Sequence, residues 1–407
     1  MNGSNSDMIV VGGGVIGGAV AYYAAKAGLG VTLIDQPKRG RATSASAGGL
    51  WPLGESLGLG CGVIFYKAML AKGAASAHDG PEPLPQCFTE FALQSNALFP
   101  DLAVALRDET GMDIEVEKSS LLFLMYDEGD ESFARRIWDN PSVDRADLEW
   151  LTPEEVARDE PAATRDVRGA LRFCTDDQVN PYKLADAFRA GARHYGAAIV
   201  THTPVVGIDV AGGRVHAVRT RDGALPCRIV VNAAGAWAAE VGRMAGVEIP
   251  VHPVRGQIVC TETLPPTIRA GLSTADCYLT QKHHGEIVIG STTEDVGFNA
   301  GVTPSAIRTL CKGAVRAVPA LADVGVKRVW SGLRPGSPDE LPILGPVDGV
   351  EGYLNAAGHF RTGILNAPLT GIVLTEIARG ERPSYPVEPF LLARLHGMPA
   401  AMEPAAN

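Results

Sequence analysis

Between Met8 and Asp35 the chain reads MIVVGGGVIGGAVAYYAAKAGLGVTLID, and no other stretch limits its folding so tightly. An apolar run of β-forming residues leads into Gly12-x-Gly14-x-x-Gly17, an alanine-rich helical segment follows, and Val31-Thr32-Leu33-Ile34-Asp35 reads as a second strand. Each glycine has its own task. Gly12 permits the tight turn, Gly14 lets the backbone approach a pyrophosphate, and Gly17 lets helix and strand pack closely. A pyrophosphate then rests on the helix N-terminus, near Val15 and Ile16, where unpaired N–H groups and the helix dipole favour an anion. Asp35, at the end of the second strand, is placed to accept hydrogen bonds from an adenosine ribose, and its charge disfavours a 2′-phosphate. Glycine turns alone are common. Joined to strand, helix, second strand and terminal acid, this one specifies a dinucleotide site, for NAD or FAD alike.

A second feature lies near the other end, Ser331 to Ile364, SGLRPGSPDELPILGPVDGVEGYLNAAGHFRTGI. Arg334 and Arg361 stand there among glycines and prolines rather than in a charge run. Arginines so placed have a fixed anionic partner. One reading pairs Arg334 internally with Asp339 or Glu340; the other gives it an anionic ligand.

The length of 407 residues exceeds one core and implies two domains. A formal charge of −10 without a basic tail or cluster excludes nucleic acid and anionic membrane surfaces as partners. The seven cysteines, Cys61, Cys87, Cys174, Cys227, Cys260, Cys277 and Cys311, show no CxxC and no zinc or iron–sulfur spacing. Most are expected to be small buried hydrophobes. Their odd number and the lack of a secretory signal point to the cytoplasm. Asp177, His283 and His284 are expected in exposed or loop positions, and no metal site is expected. Met8 to Val31, broken by glycines and Lys26, is no membrane span.

After Asp35 the run Ala42-Thr43-Ser44-Ala45-Ser46-Ala47-Gly48-Gly49 leaves backbone N–H groups and hydroxyls unshielded, fused to Leu50-Trp51. Asn232-Ala233-Ala234-Gly235-Ala236-Trp237 likewise ends a strand in small residues. Cys87 to Gly111 has a helical pattern, SSLLFLMY is a strand, and Thr152-Pro153-Glu154-Glu155 opens a helix with a capping box. Helices are expected over Tyr182–Tyr195 and Leu365–Arg379, with strands between them. These pieces imply an α/β fold, α+β overall: a discontinuous Rossmann-like dinucleotide domain (1–87, 161–248, 331–390), an inserted β-rich substrate domain with antiparallel sheet (88–160, 249–330), and a tail (391–407).

The chain resembles the D-amino-acid oxidase superfamily of FAD enzymes, near glycine oxidase and sarcosine oxidase. The residues that carry the resemblance are VVGGGVIGGAVAYYAAKAG with Asp35, ATSASAGGLW, TPVVGI, VVNAAGAWA, CYLTQ, GLRPGSPDELPILG and AAGHFRTGI. Within the superfamily, RATSASAGGLWPLGESLGLGCGVIFYK, DCYLTQKHHGEIVIGSTTED and the segment from Arg334 onward are most similar to the flavin subunits of heteromeric dehydrogenases. These are the C subunit of hydrogen cyanide synthase first, and then the β subunit of D-hydroxyproline dehydrogenase and the B subunit of opine oxidase.

The resemblance implies FAD as cofactor and a carboxylate clamp at Arg334, assisted by the Tyr278 hydroxyl. It places Arg361 between flavin and substrate, Gly332, Gly358, His359, Thr362, Gly363 and Ile364 along the flavin, and Val205 with its backbone at adenine. It puts Thr43, Ser44, Gly48, Gly49, Ala234, Gly235 and Trp237 along the cofactor, and Leu50 and Trp51 on the ring face, with Trp51 narrowing the pocket.

The reaction implied is oxidation of a small amino or imino acid by hydride transfer from Cα to flavin N5, which needs no strong side-chain base. Glycine going to hydrogen cyanide and CO2 is favoured over D-proline or D-hydroxyproline, and over an autonomous oxidase making hydrogen peroxide. The partners implied are a second flavin- or nucleotide-binding subunit and a small iron–sulfur subunit, with peripheral association at the inner face of the cell membrane through that complex.

Overall fold

A computed structural model describes residues 6–59 and 81–397, so Cys61 and the end of the expected tail lie outside the described residues. The N-terminal unit folds as its pattern dictates. Strand Ser6–Val11 lies between Val31–Ile34 and the end of Gly223–Asn232, parallel to both, and helix Val15–Lys26 connects the first two. The full sheet runs Ile343–Pro346, Tyr353–Ala357, Gly223–Asn232, Ser6–Val11, Val31–Ile34, Ala198–Val200, with Ile343–Pro346 as its antiparallel edge. A meander, Val205–Ala211 and Arg214–Thr220, extends the long Gly223–Asn232 strand away from the sheet. An added Cβ at Gly17 would fall inside the shell of the Gly12 carbonyl oxygen, so helix and turn can touch only through glycine.

Helix Gly363–Ala378, apolar on nearly every side, is buried against Val15–Lys26 in the larger core of this sheet. Helix Pro181–His194 covers the same face, with Asn180 accepting from the N–H groups of Tyr182 and Lys183 as its cap.

The second sheet has the order Val326–Gly336, His252–Thr263, Glu286–Gly290, Tyr278–Gln281, Gly271–Ser273, Leu121–Met125, Gly169–Phe173, Leu148–Leu151. Its pairs are antiparallel except Gly271–Ser273 with Leu121–Met125. The continuous apolar run Leu121–Met125 is buried on both faces. Leu121, Phe123 and Met125 pack with Trp51 and Tyr278, whereas Leu122 and Leu124 pack under helix Pro304–Ala317. The expected capping box is present, with Thr152 and Glu155 each accepting the other's backbone N–H.

The sheets cut the chain elsewhere than the expected boundaries. Residues 86–110 form two helices, Gln86–Ala97 and Phe99–Thr110, whose Phe88, Phe91, Phe99, Leu102 and Leu106 join the core of the first sheet rather than the substrate domain. Gly169–Phe173 and Val326–Gly336 belong to the second sheet, because their backbones pair with Leu121–Met125 and His252–Thr263. Strand pairing thus brings Arg334 in on the second sheet, facing the first.

Candidate active site

The two sheets meet along one cleft, lined from the glycine turn at one end to Arg334 and Tyr278 at the other. At one end the glycine turn presents the start of helix Val15–Lys26. Thr43 Oγ1 accepts from Val15 N–H (3.1 Å), and Asp35 Oδ1 accepts from Gly13 N–H (2.8 Å). Arg41, unremarked in the sequence, donates to both Asp35 oxygens (2.9 and 3.2 Å) and lines the cleft. Val205, Ala234, Gly235 and Trp237 continue this wall. Trp237 stacks on Phe298 with ring centroids 5.5 Å apart, and the Lys38 ammonium sits 4.8 Å from the Trp237 centroid.

Gly12, Gly14, Val15, Ile16, Asp35, Thr43, Gly48, Gly49, Gly332, Gly363 and Ile364 also line the cleft. Five expected residues do not. Gly17 is inside the helix–turn contact. Ser44 lies on a small outer depression with Arg189, donating to the Arg41 carbonyl and accepting at its own carbonyl from Tyr182. Leu50 points into the core, since successive residues of the short strand Gly49–Leu50 face opposite ways. Gly358 and Thr362 stand behind the lining, where Thr362 Oγ1 donates to the His359 carbonyl (3.0 Å) and accepts from Asn366 (3.0 Å).

At the other end, Arg334 sits opposite Val254 in the strand pair and extends its guanidinium across Gly256. Nη1 donates to the Thr292 carbonyl (3.1 Å) and Nη2 to Ser291 Oγ (2.5 Å), so the fork is aimed by the neighbouring strand's end. Tyr278 crosses Gly290 and meets Trp51 edge-on, with centroids 5.2 Å apart at 78°. Trp51 and Tyr278 both line the cleft and are nearly buried.

Arg361, with a side chain only 6% exposed, holds two acids. Nε donates to Glu55 Oε2 (2.8 Å) and Nη2 to Glu340 Oε2 (3.0 Å). The anticipated internal partners of Arg334 are therefore engaged elsewhere, Glu340 with Arg361 and Asp339 with Arg394 (2.8 Å).

Glu55 is a site residue that the sequence did not disclose. It sits on the short helix Pro52–Ser56, whose first N–H groups, Leu53 and Gly54, are held by the buried carboxylate of Asp176 (3.2 and 2.9 Å). Burial pushes the Glu55 carboxyl up, opposed by the charges of Arg361 and then Arg334. Its one signal was an acid lodged among small and apolar residues, after Trp51-Pro52-Leu53-Gly54.

His359 lines the cleft but is buried, and burial pushes its pKa down to about 3. It is neutral at physiological pH, with Nε2 hydrogen-bonded to Thr370 Oγ1 (3.0 Å), which suits a wall residue rather than a base. Asp177 is buried beside Lys118 (3.0 Å), contrary to the expected exposure, whereas His283 and His284 are exposed and paired with Glu117 (3.4 Å) and Glu115 (3.2 Å). No metal-ligating group occurs among the described residues. Of the six described cysteines, Cys227, Cys260 and Cys277 are buried, Cys87 and Cys311 half-buried, and Cys174 exposed.

A family model described as FAD dependent oxidoreductase, DAO, matches residues 7–377. The chain is 49% identical to hydrogen cyanide synthase subunit HcnC of Pseudomonas aeruginosa, over 98% of this chain and 99% of that protein. It is 31% identical to glycine oxidase of Geobacillus kaustophilus, over 95% and 97% of the two chains. The crystal structure of glycine oxidase from Geobacillus kaustophilus matches the fold with a TM-score of 0.82 at 29% identity, covering 96% of this chain and 99% of that one.

Proposed function

This chain belongs to the DAO family of FAD-dependent oxidoreductases, and from that membership we infer that it is the flavin-bearing catalytic subunit of a heteromeric dehydrogenase that oxidises glycine to hydrogen cyanide and CO2. The observation that carries the reading is the polarity of the cleft: a pyrophosphate-type turn at one end and an aimed guanidinium beside a tyrosine at the other.

The residues fit FAD. The turn Gly12 to Gly14 and the first N–H groups of helix Val15–Lys26 would hold the pyrophosphate, Asp35 the ribose, and Val205 the adenine. Gly48, Gly49, Gly332, His359, Gly363 and Ile364 would border the ring system, since glycines and small residues let a flat ring lie against backbone. When bound, FAD supplies the acceptor for an electron pair from substrate Cα.

The chain's own part is placement. Arg334 would take the substrate carboxylate as a two-pronged clamp, with the Tyr278 hydroxyl beside it. Fixing Cα in this way supplies on the order of 7–11 kcal/mol in the best intramolecular cases. Trp51, packed on Tyr278 at that end of the cleft, would narrow the pocket, which favours glycine over a proline ring. His359, neutral, walls the site without taking a proton.

Atom balance makes the full conversion a four-electron oxidation: glycine yields HCN, CO2, four protons and four electrons, through the two-electron imino acid. Electrons must then leave the site. The name of the P. aeruginosa relative, a synthase subunit, supports partner subunits, here a second flavin- or nucleotide-binding chain and a small iron–sulfur chain. No helix among the described residues is long and apolar enough to cross a membrane. We place the protein in the cytoplasm, with any membrane contact made by the complex.

Likeness to glycine oxidase supports a second reading, an autonomous oxidase. One assay separates the two: with glycine, the isolated chain should turn over with a dye acceptor or added subunits and release cyanide, whereas rapid peroxide formation without them would establish the oxidase.

A further inference from the structure

The acids that line the described cleft are Asp35, Glu55 and Glu240. Asp35 is held by Gly13 and Arg41 at the turn, and Glu240 pairs with Lys38 (3.3 Å) near the surface. Glu55 is thus the one described lining carboxylate at the end where Arg334, Tyr278 and Trp51 converge. Its burial is expensive, since taking a carboxylate out of water costs several kcal/mol that a partner must return. The partner here is divided: the single charge of Arg361 serves both Glu55 and Glu340.

Among the described residues, Arg334 and Arg361 face Glu55 and Glu340, with the Asp176 carboxyl, pushed well up by burial, beneath the Glu55 helix. When a substrate carboxylate occupies Arg334, the remaining group of Glu55, Arg361 and Glu340 carries a net −1. That leaves a negative centre within the same cleft for a positive one. An α-amino acid in its zwitterionic form brings both charges together and adds no net charge to the site.

We propose that Glu55 is the acceptor for the substrate's ammonium group, receiving its hydrogen bond on binding and then one of its protons. An N–H bond breaks and an O–H bond forms on Glu55. The freed nitrogen lone pair becomes the second bond of C=N as the Cα–H electron pair leaves for FAD, and Glu55 returns its proton to water after the product departs. This inference rests on the amino-acid reading of the site and adds the group that makes the amine neutral. Burial, which raises the Glu55 carboxyl, favours its protonated form after the transfer. The groups facing it are Arg361 and Glu340 from the loops around the edge strand, Arg334 from the second sheet, and Asp176 beneath its helix. Pinning of the Pro52–Ser56 helix by Asp176 fixes its position.

The test uses the full-length holoprotein and its variant Glu55→Gln, an isostere able to accept from Arg361 Nε. Flavin absorbance is titrated anaerobically with acetate, a carboxylate without an amine, and the rate of flavin reduction by glycine is followed across pH. Acetate affinity should stay within about threefold, while reduction by glycine slows about 100-fold at neutral pH, in the range for loss of a proton acceptor. That rate should recover as the pH rises to where free glycine loses its ammonium proton unaided. Glu55→Asp should keep the wild-type pH profile at a lower rate, and stands in if the amide variant does not fold. An unchanged rate and pH profile in Glu55→Gln would overturn the proposal, as would equal losses for acetate and glycine, which would mark Glu55 as a support for Arg361 only. If wild-type flavin stays oxidised with glycine, D-proline and cis-4-hydroxy-D-proline alike, the amino-acid reading fails along with this one, and the wild-type traces alone distinguish that case.

Discussion

Gly256→Ala tests the carboxylate clamp without touching its charge. A Cβ built at Gly256 lies 2.5 Å from Arg334 Cζ and closer still to both terminal nitrogens, whereas ordinary contact begins at 3.4 Å. The guanidinium would have to retreat by about 0.9 Å. The strand itself should tolerate the change, because Gly256 has no positive φ and pairs in register with Gly332. The side chain will yield before the backbone does, releasing the bonds to Thr292 and Ser291. A displacement of about 1 Å at a positioning group costs on the order of 100-fold, or about 2.7 kcal/mol of transition-state stabilisation. Flavin content and thermal stability should stay near wild type while kcat/KM for glycine falls about 100-fold, and acetate should bind more weakly. Arg334→Lys should do the same for a different reason: an ammonium cannot span Thr292, Ser291 and a carboxylate in one plane. Wild-type kinetics in Gly256→Ala would refute the assignment, since the clamp cannot be where Arg334 now lies.

Trp51→Phe should widen the pocket beside Tyr278, raising kcat/KM for D-proline relative to glycine about tenfold, as one small change in an apolar pocket does; an unchanged ratio would remove Trp51 from specificity. His359 should make the fold acid-sensitive. Its folded pKa of about 3 lies below the unfolded value near 6.5, so the unfolded chain binds the extra proton and stability falls as pH drops through that window, by about 1.4 kcal/mol per unit. His359→Gln should therefore shrink the loss of unfolding free energy between pH 6.5 and pH 5 by about 2 kcal/mol in urea titrations, and an undiminished loss would contradict a neutral buried imidazole.

What the sequence disclosed was local. The turn at Gly12 and the capping box at Thr152 are set by neighbours within a few residues, and they fold as read. What it hid was set by pairing between distant strands. Residues 86–110 looked like the start of an inserted domain because a strand follows them, yet their phenylalanines pack in the core around helix Gly363–Ala378. Asp339 and Glu340 looked like partners for Arg334 because they are near it in the chain. Arg334 lies near the end of strand Val326–Gly336 in the second sheet, while the loop beyond carries those acids to Arg394 and Arg361. Leu50 was grouped with Trp51, although strand alternation sends it to the opposite face. Glu55 had no periodic or motif signal at all, and its partner lies 306 residues away.

The central claim is that the two ends of the cleft hold a flavin and an amino acid in contact, and anaerobic spectroscopy reads this directly. The purified chain should be yellow, and its flavin bands should bleach on addition of glycine, far more slowly in Gly256→Ala. Flavin bands that persist unchanged with glycine, D-proline and cis-4-hydroxy-D-proline alike would contradict the account.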